Sequence, residues 1–237
     1  MPVIGTQQSP IQITHDETIP AKLAGALQFR YAKSLPGIFQ KDNFVFTNTI
    51  SPKTTQEITK GKELAVGLVK KTTWVLRKIH IHTPAEHLID ENPFADFECH
   101  LLHSLPGDLT AQNEKLVVGV LFTIDKKTPK GSQAASTLFQ LNQLIRTSIG
   151  NDARKPCEIE HPHNIDVKDF LPDANRRKFY QYEGSLTSPP FTEDVNWYIM
   201  KEHTTVSQNN IDQILECAEQ QQRPVQPLNR RYVLRSF

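Results

Sequence analysis

Residues 78–103 read KIHIHTPAEHLIDENPFADFECHLLH and hold five of the chain's nine histidines: His80, His82, His87, His100 and His103. Side chains alternate between the two faces of a strand. In VLRKIHIHT (residues 75–83) a strand would put Val75, Arg77, Ile79 and Ile81 on one face and Lys78, His80 and His82 on the other. If FECHLLH (97–103) is also a strand, Glu98, His100 and Leu102 share a face, with Cys99, Leu101 and His103 opposite. The loop between the two permits antiparallel pairing. Setting His100 beside His80 and His82 then brings three imidazoles together on a rigid sheet, the arrangement of a catalytic zinc site that keeps its fourth position for water.

His87 and His103 fall outside this set and read as hydrogen-bonded core groups. A second His-x-His pair, His161 and His163 in EHPHN, sits in a proline-rich loop with no third partner near it in sequence, and is read as structural. Nothing around His15 or His203 points to a role.

Outward from this stretch, short apolar runs rich in Val, Ile and Phe are separated by proline-marked loops: Leu27–Tyr31, Phe44–Thr47, Phe97–His103, Val117–Ile124 and Val195–Met200. They are of strand length, so a sheet is the main element. Helical spacing occurs twice. Ala135, Leu138, Leu141 and Ile145 fall on one helix face with Gly150 as a stop, and Ser207 is expected to cap a helix that turns Ile211, Ile214, Leu215 and Ala218 inward. The fold class is mainly β (α+β), with residues 1–237 expected to form a single domain.

Composition narrows the function. With 237 residues, 38% hydrophobic and 22% charged, the chain has the make-up of a globular protein. The run VVGVLFTI (117–124) falls far short of the roughly 20 residues of a membrane-spanning helix, so no membrane partner is expected. A formal charge of +1, with Lys and Arg scattered, leaves no footprint for nucleic acid. Arg223, Arg230, Arg231 and Arg235 cluster near the C-terminus and read as solvated surface. Cys99, Cys157 and Cys217 are odd in number and widely spaced, which argues against a disulfide framework or a thiolate metal site. The absence of a signal-like N-terminus adds to an expectation of a cytoplasmic protein, or of a periplasmic or secreted one whose leader was removed. Nothing in the sequence sets an oligomeric state.

Two family resemblances follow from the histidine stretch. His80, His82 and Glu86 have the His-x-His-x-x-x-Glu spacing that resembles the first metal motif of cupins, which would imply iron or manganese with mixed ligands. That pattern also asks for glycine before the first histidine and after the glutamate, where Trp74 and Pro93 stand, and for a later Pro-x-Gly-x-x-His segment that the chain lacks. The full stretch from His80 to His103 more closely resembles the α-carbonic anhydrases. These pair His-x-His-x-x-x-Glu-His with a later Glu-x-His-hydrophobic-hydrophobic-His. QSPI (8–11), GSLTSPPFTEDVNW (184–197) and RPVQPLNRR (223–231) resemble the same family in the same order.

The resemblance implies a large twisted, mostly antiparallel central sheet with a few surface helices. It implies reversible hydration of carbon dioxide to bicarbonate and a proton by attack of zinc-bound hydroxide, and inhibition by sulfonamides. His80, His82 and His100 match the Zn2+ ligands. Thr187 matches a threonine whose hydroxyl donates to a buried glutamate, taken here as Glu193. Leu102, Val117, Leu186, Val195 and Trp197 match the apolar wall that holds carbon dioxide, and Ser188 a pocket position beside it. Glu98 is expected to accept from His100, and His87 with Tyr182 to support that strand.

Several positions depart from the family pattern. Lys78 stands where a glutamine usually accepts from the first ligand's ring, and an ammonium has no lone pair to offer. Phe191 stands where secreted bacterial members often carry a disulfide cysteine, and Thr83 where tryptophan is common. Asp42 matches the proton-relay position, where the fastest members use histidine. Lys78 also supports an alternative, a carbonic-anhydrase-like binding protein with weak or no catalysis.

Overall fold

The computed structural model describes residues 5–21, 27–31, 37–40, 45–48, 57–61, 71–90, 95–108, 111–125, 137–143, 158–159, 165–173, 178–208, 211–217 and 222–237. The strands are, in chain order, β1 (Gln12–Ile13), β2 (Ile19–Pro20), β3 (Gln28–Arg30), β4 (Gly37–Gln40), β5 (Val45–Asn48), β6 (Glu57–Gly61), β7 (Lys71–His82) and β8 (Leu88–Ile89). After them come β9 (Phe97–Ser104), β10 (Lys115–Asp125), β11 (Glu158–Ile159), β12 (Phe179–Gly184), β13 (Val195–Met200), β14 (Thr204–Ser207) and β15 (Leu234–Arg235). Helix α1 covers residues 137–143 and α2 Asp212–Cys217.

Among the described residues, thirteen strands join in one sheet, along the path β11-β4-β5-β7-β9-β10-β13-β12-β15-β2 with β3, β6 and β14 attached beside it. Most pairs are antiparallel; β10 with β13, β10 with β14 and β15 with β2 are parallel. The two histidine-bearing strands are central neighbours. β7 and β9 pair antiparallel with His80 opposite His100, His82 opposite Glu98 and Lys78 opposite Leu102.

The expected alternation along β7 holds only from Lys78 onward. A register shift lies between Leu76 and Lys78, where Arg77 is the extra residue of a β-bulge. A bulge sets two residues against one and resets which face each side chain takes. Leu76, not Val75 or Arg77, therefore shares the core cluster of Ile79 and Ile81. Arg77 is buried, and its guanidinium donates to Ser104 Oγ at 2.8 Å and to the carbonyls of Leu105 and Pro106 at 3.1 and 3.3 Å.

Both faces of the sheet are covered, which is why the strands through its middle read as near-continuous apolar runs. On β10, Leu116, Val118, Val120 and Phe122 pack with Leu138 and Leu141 of α1 and Ile211 and Ile214 beside and in α2. Val117 and Leu121 point the other way, to Ile11, Ile13, Ala85, Tyr182, Val195 and Trp197. Ser207 does not cap α2; it closes β14, paired with Asp125, and the chain turns through Gln208 before the helix starts at Asp212. Ala135, Ile145, Gly150 and Ala218 lie outside the described residues.

Candidate metal centre

Because His80 faces His100 across the β7–β9 ladder and His82 follows two residues on, the three rings meet by register alone. Their centroids are 4.9 Å (His80–His82), 5.0 Å (His80–His100) and 4.7 Å (His82–His100) apart. One nitrogen from each lies within 4.8 Å of the others. His100 Nδ1 and His80 Nε2 approach to 3.3 Å. Burial, then the neighbouring imidazoles and Lys78, holds His80 well below the usual imidazole range. Burial, then His100, lowers His82 to about 3. His80 and His82 therefore stay neutral at physiological pH and present lone pairs, as metal ligands must.

Glu98 aims the third ring. Its Oε1 accepts from His100 Nε2 at 2.9 Å and from His87 Nδ1 at 2.8 Å, while Oε2 accepts from the backbone N–H of Glu86 and His87 at 3.0 and 2.9 Å. With Nε2–H given to Glu98, the lone pair of His100 lies on Nδ1, the atom that faces His80. Burial alone would raise the carboxyl, but the charges and hydrogen bonds of His87 and His100 outweigh it and hold Glu98 well below the usual carboxylate range. The chain of contacts continues: His87 Nε2 meets Tyr182 Oη at 2.7 Å, and Tyr182 Oη meets Ser9 Oγ at 2.9 Å. His103 lies on the other face, between Tyr31 Oη at 2.9 Å and the Leu116 carbonyl at 3.2 Å.

Gly119 makes room for that carboxylate. It sits opposite His100 on β10, and a Cβ there would lie 2.7 Å from Glu98 Oε1 and 2.7 Å from Ile199 Cδ1. The sequence carries a weak sign of this, a lone glycine within an otherwise unbroken apolar strand.

The expected wall assembles on the same face. Val117, Val195 and Trp197 are buried in one cluster, with Leu102 and Leu186 packed against it, and the Trp197 ring lies 4.9 Å from that of His100. Thr187 is buried and Ser188 half-buried in the loop between β12 and β13. Lys78 is half-buried on the face of His80, where its charge lowers both His80 and His82. No described residue bonds His80 Nδ1, the atom a glutamine at position 78 would have served. Asp42, His161 and His163 lie outside the described residues.

The assignment of Glu193 is corrected. Glu193 is only half-buried, and its Oε1 accepts from the Gln7 backbone N–H at 2.7 Å and from Gln8 Nε2 at 2.9 Å, not from Thr187. Besides Glu98, the buried glutamate next to the histidine cluster is Glu86, 1% exposed. Its Oε1 accepts from the Arg223 backbone N–H at 3.0 Å, and its Oε2, 3.7 Å from His82 Nε2, has no hydrogen-bond partner among the described residues. Glu193 lies close to Thr187 in sequence, whereas Glu86 is brought in by folding.

The C-terminal arginines are also not simply solvated. Arg223 Nη1 donates to the Ser9 carbonyl at 2.7 Å, Arg231 Nη1 to the Glu183 carbonyl at 3.0 Å, and Arg235 Nη1 to the Thr18 carbonyl at 2.5 Å.

Three converging imidazoles on adjoining strands, with one ring oriented by a carboxylate, suit a borderline-soft divalent ion such as zinc. Glu86 gives Oε1 to the Arg223 backbone N–H and belongs to no group of converging ligand atoms among the described residues, whereas a cupin site would require it as a ligand.

The sequence model described as eukaryotic-type carbonic anhydrase matches residues 3–237. Alpha carbonic anhydrase 8 of Arabidopsis thaliana is 27% identical over 97% of this chain and 53% of its own length, so the chain spans about half of that relative. Alpha carbonic anhydrase 3 of the same plant is 30% identical over 97% of this chain and 74% of its own. Two solved structures share the fold. The α-carbonic anhydrase of Thermovibrio ammonificans, in complex with the inhibitor sulfanilamide, superposes with a TM-score of 0.71 at 24% identity, over 98% of this chain and 88% of that one. A dioscorin complexed with ascorbate superposes with a TM-score of 0.74 at 23% identity, over 98% and 86%.

Proposed function

Because the chain belongs to the eukaryotic-type (α) carbonic anhydrase family, we propose that it catalyses reversible hydration of carbon dioxide to bicarbonate and a proton, at a zinc ion held by His80, His82 and His100. The observation that carries the reading is the convergence of three imidazoles, with ligand nitrogens within 4.8 Å of one another, beside an apolar wall. Zinc supplies Lewis acidity, which in carbonic anhydrases is known to lower the pKa of water to about 7.

The chain's own residues do the rest. Val117, Leu102, Val195, Leu186 and Trp197 hold a substrate that has almost nothing to hydrogen-bond, so exclusion of water is their contribution. The acceptor assigned to the Thr187 hydroxyl in the reacting state is Glu86 Oε2, the buried oxygen without a hydrogen-bond partner among the described residues. The Thr187 oxygen is then left to accept from the reacting water, which sets the direction of attack. Glu98 and His87 keep His100 in the tautomer whose Nδ1 can bind the ion.

Elemental analysis should find about one zinc per chain, and the zinc-loaded protein should hydrate carbon dioxide in a stopped-flow assay and be inhibited by a primary aromatic sulfonamide. His80→Ala, His82→Ala or His100→Ala should lose metal and activity together. Zinc bound at full occupancy with no hydration would overturn the catalytic reading. It would favour a binding role, which the half-buried Lys78 on the ligand face supports and to which the fold shared with an ascorbate-bound dioscorin is compatible.

A further inference from the structure

Thr187 and Ser188 belong to the connection between β12 and β13, residues 185–194, which lies outside the ladders and needs other means to hold its shape. Inside it, Leu186 N–H donates to the Thr192 carbonyl and Phe191 N–H to the Ser188 carbonyl, both at 2.9 Å. From the N-terminal segment, Gln8 Nε2 reaches the Phe191 carbonyl at 3.4 Å and Glu193 Oε1 at 2.9 Å. Ser9 N–H donates to Ser185 Oγ and Trp197 Nε1 to the Ser185 carbonyl, both at 2.9 Å, and a further tie comes from the far end of the chain. The Arg223 guanidinium lies over the Phe191 ring, with Cζ 4.0 Å from the centroid, and Nη1 donates to the Ser9 carbonyl at 2.7 Å and to Ser185 Oγ at 3.4 Å.

Phe191 has φ 58°, a left-handed conformation that is uncommon for a bulky residue and persists only where its surroundings hold it. The stacked guanidinium is such a restraint. Arg223 is half-buried, so the stack and its hydrogen bonds are less weakened by solvent than an exposed cation's would be. The same residue gives its backbone N–H to Glu86 Oε1 at 3.0 Å. One arginine thus contacts both the buried carboxylate and the loop that carries Thr187.

We infer that Arg223 is a positioning residue: its guanidinium clasps the 185–193 loop through Phe191 and Ser185, braced on the Ser9 carbonyl, and so fixes the segment that carries Thr187 and Ser188. What that position accomplishes rests on the function proposed above; the clasp itself does not. Side-chain replacement leaves the N–H on Glu86 in place, so the clasp is separable by mutation. The test uses full-length zinc-loaded protein with Arg223→Met, Arg223→Lys and Phe191→Leu. Amide hydrogen exchange is followed in residues 185–193, with β9 and β10 as internal reference.

In Arg223→Met, loop exchange should quicken about tenfold to a hundredfold, the range expected on losing a charged hydrogen bond, while β9 and β10 keep their protection. Zinc content should stay at wild-type level, and affinity for a primary aromatic sulfonamide should fall about tenfold. Arg223→Lys, which retains a cation over the ring, should recover part of both effects, and Phe191→Leu should shift them in the same direction by less. Wild-type loop protection in Arg223→Met would overturn the clasp. So would faster exchange spread evenly over every strand, the mark of a residue that only adds general stability. If Arg223→Met does not fold, the other two variants decide the matter by the same readouts. Failure of the wild-type protein to hydrate carbon dioxide would sink the proposed function and leave the exchange comparison to decide the clasp.

Discussion

Glu98 Oε1 accepts from His100 Nε2 at 2.9 Å, and this bond decides which nitrogen of His100 is left to face His80. Glu98→Ala removes the acceptor, leaves His87 and two backbone N–H groups without their partner, and frees the ring to take the other tautomer. Zinc affinity, measured by chelator competition, is expected to fall about tenfold to a hundredfold. Unchanged affinity would show that the three ligands need no orientation from this carboxylate.

Gly119→Ala tests the same contact from across the ladder. The added methyl would meet Glu98 Oε1 and Ile199 Cδ1 at 2.7 Å, and the carboxylate is held by four hydrogen bonds and has no open side to move to. Denaturant unfolding should show a loss of about 1–3 kcal/mol, and zinc should bind more weakly than to wild type. Wild-type stability together with wild-type zinc affinity would contradict the fit.

Thr187→Ala should retain zinc while carbon dioxide hydration falls, by about a hundredfold if orientation of the nucleophile is lost. Glu86→Gln should lower it in the same sense, since an amide can offer N–H where the hydroxyl needs an acceptor. Glu193→Gln should have little effect, because that side chain is occupied by Gln7 and Gln8. A large loss in Glu193→Gln with none in Glu86→Gln would reverse the assignment.

His103 supplies a pH dependence free of the metal ligands. Burial, against the opposing backbone hydrogen bond to Leu116, lowers its pKa from 6.5 to about 3. In the unfolded chain the ring takes a proton near 6.5, whereas in the folded protein it does not until about 3. Between those values the unfolded state binds more protons, so stability falls as the pH falls, by about 1.4 kcal/mol per pH unit; above 6.5 the contribution is constant. Denaturant unfolding of zinc-free protein from pH 7 to pH 4 should therefore show a flatter acid limb in His103→Asn than in wild type. Parallel limbs would mean that His103 is protonated in the native state.

Much of the histidine cluster is legible in the order of residues, because strand alternation is a local rule. His80 and His82 two apart, and His100 two beyond Glu98, needed only two paired strands to meet, and the apolar runs marked both as interior. Alternation misled at Arg77, which bulges out between the Leu76–His103 and Lys78–Leu102 pairs and binds Ser104 and Leu105 by its side chain, a feature that leaves no mark in the strand itself. Glu193 stands in the same motif as Thr187, yet burial is a property of packing. Glu86 is joined to a residue 137 positions away, and Arg223 to one 214 away. The space that Gly119 leaves for Glu98 likewise exists only once β9 and β10 lie side by side. Local periodicity can show which side chains point the same way along one strand; which distant segments come to fill, brace or fasten that face is decided only by the contacts of the folded chain.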